Sequence, residues 1–95
     1  MLTFINVFTV DPANQDRLVE LLRRATDDFV RHAPGFVSSR LHRSLDGTKV
    51  AMYAQWRSQA DYDAMRADPR PRTLLAEAMA IATFEPCSYS VVADF

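Results

Sequence analysis

Cysteine is nearly missing from this chain: Cys87 is the only one among 95 residues, which excludes an internal disulfide and any metal site built from several thiolates. Charge of one sign is missing too. Eleven Lys and Arg stand interspersed with twelve Asp and Glu, for a net charge of −1. There is therefore no basic stripe to neutralise phosphates and no polybasic patch to hold anionic lipid. Nucleic acid and membrane are poor partners for such a surface. The first residues have neither a basic n-region nor the unbroken apolar run of a signal peptide, so a reduced cytoplasm is the expected compartment. Repeats, linkers and low-complexity stretches are also lacking, and the expectation is one domain over residues 1–95.

What the chain does have is apolar surface. Hydrophobic residues make up 48% and aromatics 11%, while a chain of this length hides only about 60–65% of the surface its unfolded form exposes. That is more apolar material than one small two-layer domain easily covers, and a second copy covering one face is the economical solution. A homodimer is expected.

Residues 2–10 alternate, with Leu2, Phe4, Asn6, Phe8 and Val10 on one side and Thr3, Ile5, Val7 and Thr9 on the other. This is a strand with two largely apolar faces, hence central or covered. Asp11-Pro12 supplies a cap and a first-turn proline for a helix carrying Leu18, Leu21, Leu22, Ala25 and Phe29, which ends near His32 because Pro34-Gly35 cannot continue it. Two β-prone runs, 36–45 and 48–57, flank Asp46-Gly47, a strong hairpin signal. Ser58 with Asp61 resembles a capping box opening a short helix with Tyr62 and Met65 turned inward, and Asp68-Pro69 restarts it into a stripe of Leu74, Leu75, Ala78, Met79 and Ala82. Cys87, Tyr89, Val91, Ala93 and Phe95 alternate as a last strand. The order is β-α-β-β-α-β: an α+β, ferredoxin-like fold with an antiparallel sheet and its helices on one face. The other face then has nothing within the chain to cover it.

Several segments stand in an order that resembles the antibiotic-biosynthesis monooxygenase family. They are Ile5-Asn6-Val7-Phe8, Pro34-Gly35-Phe36, His42 followed by Asp46-Gly47-Thr48, Tyr53-Ala54-Gln55-Trp56, and Asp68-Pro69-Arg70. The resemblance covers essentially the whole chain and implies a dimeric α+β barrel. It further implies a cofactor-independent oxygenase that converts an aromatic, anthrone-type polyketide to a quinone, with dioxygen as co-substrate and no flavin, haem or metal. Asn6, Trp56 and Tyr62 would then supply hydrogen-bond donors to a developing oxyanion, His42 would be the base or proton relay, and the Trp56 indole would stack on the substrate. The implied pocket lies between sheet and helices, with Phe4, Phe8, Met52, Met65, Leu75 and Met79 contributing to its walls. Two positions depart from the family pattern: Met52 stands where its oxygenases often have Asn, and Ala76 where one branch has Arg.

The residues themselves leave alternatives open. A two-residue Asp46-Gly47 turn pairs Leu41 with Met52 and sets His42 on the face opposite Trp56, whereas a three-residue loop pairs His42 with Val50 and unites them. Asn6 in an apolar strand face must be paired or costs roughly 1–3 kcal/mol, so a ligand contact is its natural explanation. Cys87 reads as a small hydrophobe, and His32 as a partner for helix-end carbonyls. The rival functions are a polyketide cyclase, a non-catalytic dimeric binding module, and a haem-degrading enzyme, the last weakened by the lack of a histidine from Leu74 to Ala78.

Overall fold

The computed structural model describes residues 1–95. Strand β1 (Leu2–Val10) is central in a four-stranded antiparallel sheet of order β2-β3-β1-β4, formed with β2 (Phe36–Arg43), β3 (Lys49–Trp56) and β4 (Ala82–Tyr89). Helices α1 (Gln15–Asp28), α2 (Gln59–Arg66) and α3 (Arg72–Ile81) lie on one sheet face, giving the expected ferredoxin-like α+β architecture. The alternation in β1 sets Phe4, Asn6, Phe8 and Val10 towards the helices, where all four are buried. Phe8, Val10 and Val50 pack on Leu18, Leu21 and Leu22 of α1 and Ala78 of α3. A second cluster joins Phe4, Ala54 and Trp56 to Tyr62 of α2. No helix is long and apolar enough to cross a membrane.

The first helix is shorter than its periodicity predicts. Asp11 accepts from the Ala13 N–H at 2.9 Å and Pro12 opens a 3-10 turn before α1 begins; Phe29, at φ −131°, ends α1, and a second 3-10 turn runs Val30–His32. His32 donates a ring N–H to the Asp27 carbonyl at 2.9 Å, the helix-end role its position implies.

The last strand corrects the sequence reading more substantially. It starts at Ala82, directly after α3, and ends at Tyr89, so Val91, Ala93 and Phe95 lie beyond it. Pro86, which reads as a boundary, sits inside the strand; β4 is an edge, where the N–H that proline lacks would have had no ladder partner.

The hairpin settles the register. Leu41 faces Met52 and His42 faces Ala51, while the Ser44 N–H donates to the Lys49 carbonyl at 2.9 Å and closes a loop of residues 45–48. Within it Asp46 accepts from Ser44 Oγ, Thr48 N–H and Thr48 Oγ1 at 2.8, 3.0 and 2.7 Å. These bonds, above all those from Thr48, hold its carboxyl at about 2. Since folding depresses this pKa, the hairpin is favoured above the ordinary value near 4 and loses that contribution as pH falls towards 2. Asp46→Asn should therefore flatten the acid limb of a melting-temperature profile between about pH 4 and 2. A variant profile parallel to the parent's would show that the bonds do not bear on stability.

Candidate active site

Between the two core clusters, the sheet and helices leave a cavity of about 90 Å³. Its floor is the helix-facing side of the sheet: Phe4, Asn6 and Phe8 of β1, and Met52 and Trp56 of β3. Tyr62 and Met65 of α2 and Leu75 of α3 close it from above. These residues meet because Asn6 pairs with Met52 across the β1–β3 ladder and Leu2 with Trp56, so period-two alternation turns all of them to one face. The aromatic wall is tightly arranged. Phe4 and Tyr62 are 4.3 Å apart between ring centres, and Trp56 meets Tyr62 and Phe36 edge-on at 5.8 and 5.4 Å.

Asn6 Oδ1 is buried and has no hydrogen-bond partner. An amide acceptor left bare in an apolar wall costs on the order of 1–3 kcal/mol, and a ligand hydroxyl would satisfy it. Burial pushes the Tyr62 phenol pKa up, so at neutral pH it keeps its proton and can donate. The lining contains no Asp, Glu, His, Lys or Cys. Tyr62 is the lining's one ionisable side chain, so the chamber holds an acid and no base at neutral pH.

Two expected residues stand elsewhere. The observed register places His42 beside Ala51 on the opposite sheet face, exposed, with Nδ1 3.3 Å from the Ala51 carbonyl, so it cannot reach the cavity as a base. Met79 is 56% exposed and edges a smaller neighbouring space instead. Conversely, Leu22, Ala25 and Thr26 of α1 and Ser39 of β2 line the chamber. The helical period marks Leu22 and Ala25 only as inward-facing, and nothing in the sequence separates a wall residue from a core residue.

Residues 1–74 match the profile of the antibiotic biosynthesis monooxygenases. The chain belongs to this family. It is similar to the tetracenomycin-F1 monooxygenase of Streptomyces glaucescens, 53% identical over 70 residues, which are 74% of this chain and 62% of that protein. The chain thus spans less than two thirds of that relative's length. Among solved structures it is similar to the monooxygenase ActVA-Orf6 of Streptomyces coelicolor, determined with the ligand Nanaomycin D, at 32% identity and a TM-score of 0.85 over 99% of this chain and 89% of that one. SnoaB of Streptomyces nogalater, described as a cofactor-independent oxygenase, superposes with a TM-score of 0.83 at 26% identity, over 98% of this chain and 94% of its own. Membership of the family accounts for the segment order noted above, from Ile5-Asn6 to Tyr53-Ala54-Gln55-Trp56.

Proposed function

We propose that this protein is a cofactor-independent monooxygenase that oxidises an anthrone-type ring of an aromatic polyketide to a quinone. The observation that carries this reading is the unpartnered Oδ1 of Asn6 in an otherwise apolar, aromatic-walled chamber. The similarity to a tetracenomycin-F1 monooxygenase and to the cofactor-independent SnoaB supports it. The reaction balances without an added reductant. The ring methylene loses two hydrogens and gains one oxygen atom as a carbonyl, the second oxygen atom leaves as water, and all four electrons come from that carbon.

The residues supply placement and electrostatics. Asn6 fixes a substrate hydroxyl, Trp56 and Tyr62 offer an indole N–H and a phenolic O–H to the oxyanion, and the apolar walls exclude water. With no base in the lining, the substrate ionises by its own acidity. The pH profile of kcat should consequently move with the substrate's pKa when its ring substituents are changed, and His42→Ala should leave it in place.

The test is oxygen uptake by the purified protein with an anthrone, without added flavin or metal. Trp56→Phe, which keeps the ring and removes the N–H, should lower turnover roughly ten- to a hundredfold. Traces equal to the protein-free control across several anthrones would reject the oxygenase reading, and ring closure under nitrogen would install a polyketide cyclase in its place.

We further infer that the protein works in the cytoplasm as a homodimer. Ile5, Val7, Ala51 and Tyr53 form a half-buried apolar strip on the sheet face without helices, and no element of the chain covers it. Light scattering at micromolar concentration should give twice the mass of one 10.8 kDa chain; the mass of a single chain would refute it.

A further inference from the structure

Asn6 stands at the junction of two cavities. Beside the chamber already described lies a smaller space of about 50 Å³, between the sheet and α3. Its own walls are Ala78 and Met79 of α3 and Phe84 of β4, and it shares Asn6, Phe8, Leu22 and Leu75 with the first chamber. The shared residues come from the sheet, α1 and α3, so together they form a neck. Asn6, whose buried Oδ1 has no partner, belongs to that neck, with an apolar-walled space on either side of the residue.

We infer that the substrate passes through this neck and occupies both cavities, so that the hydroxyl it presents to Asn6 belongs to an interior ring with further rings on each side. This deepens, and rests on, the reading of the site as a polyketide oxygenase pocket. A ligand bearing its hydroxyl on a terminal ring could satisfy Asn6 from the first chamber alone. It would leave the second space empty, and the apolar groups around an unfilled space lose their contacts on that side. An elongated ligand fills both and meets the amide midway. The second space exists because α3 puts a small side chain at Ala78, 2% exposed, close to the pair of rings Phe8 and Phe84, whose centres are 6.0 Å apart. Ala78, Met79 and Phe84 thus set the permitted length of the substrate on that side.

Equilibrium dialysis under nitrogen, which stops turnover, tests this with two probes: anthrone, whose enol tautomer carries its hydroxyl on the middle of three rings, and 1-naphthol, whose hydroxyl is on one of two. Ala78→Leu fills the second space from within. Met79→Phe obstructs it from an exposed position, so that the test survives if the buried substitution prevents folding. In each folded variant anthrone should bind at least tenfold more weakly, with 1-naphthol within twofold of its affinity for the parent. Unchanged anthrone binding, or equal weakening of both probes, overturns the two-cavity inference while oxygen uptake by the parent leaves the functional reading standing. Failure of both probes to bind the parent overturns both.

Discussion

Gly35→Val should destabilise the protein by about 2–4 kcal/mol and lower its melting temperature by roughly 10–25 °C. Gly35 has φ +84°, a left-handed conformation that strains a β-branched residue. The second contribution is specific to this fold. A Cβ at Gly35 would lie 2.4 Å from Asp61 Cγ and 2.5 Å from Asp61 Cβ, closer than real carbon atoms approach. Asp61 is not free to swing away, because it accepts from Arg57 Nε at 2.9 Å and Ser58 Oγ at 3.0 Å, while Ser58 accepts from its backbone N–H at 3.2 Å as the cap of α2. Releasing Asp61 therefore loosens the start of α2, the helix that delivers Tyr62 to the cavity. Gly47 is the natural control. It has the same φ of +84°, but the nearest atom to its Cβ would be Pro12 Cβ at 3.3 Å. Gly47→Ala should cost little beyond the conformational penalty of about 1–2 kcal/mol, since Pro12 need give way by only a few tenths of an ångström. Thermal melts of both variants decide the matter; equal losses would show that the Asp61 contact carries no energy.

These two glycines show which parts of the fold can be seen from residue order and which cannot. Pro34-Gly35 and Asp46-Gly47 announce a stop and a turn because their backbone requirements are local, and the alternation of Leu2–Val10 announces a strand for the same reason. The hairpin register is different. It turns on Ser44 closing with Lys49, and on the Gln15 amide, which donates to the carbonyls of Ser44 and Lys49 at 3.0 Å from a helix 29 and 34 positions away. No local pattern encodes a clamp of that sequence separation. His42 was consequently ambiguous until the register was known. The start of β4 was hidden for another reason: α3 passes into it without a loop, and Pro86 has the usual look of a strand boundary. In the site, Asn6, Trp56 and Tyr62 were legible as chemical oddities or as family positions. The neck at Leu22 and Leu75 was not, since both are ordinary apolar helix residues whose meaning depends on how α1 and α3 sit over the sheet.

Asn6→Leu should move stability and activity in opposite directions. Leucine has the branched outline of asparagine with greater bulk and can occupy the same helix-facing position of β1, where neighbours such as Phe8 and Met52 are apolar. It removes a buried acceptor that no protein group satisfies, so the folded state should gain on the order of 1–3 kcal/mol, visible as a higher melting temperature and denaturant midpoint. Turnover should fall at the same time by tens to hundreds of fold, at most about 2–4 kcal/mol in the barrier, because the substrate hydroxyl loses its fixed partner. A residue kept for the fold behaves otherwise: replacing it lowers stability, and activity falls only as far as folded protein is lost. Asn6→Ala separates the amide from the added volume, since it deletes the same acceptor without putting a larger apolar side chain in the neck between the two cavities. It should lower turnover as much as leucine while gaining less stability. A leucine variant that melts lower than the parent and oxidises substrate at the parental rate would show that the amide serves packing, and would remove Asn6 from the site.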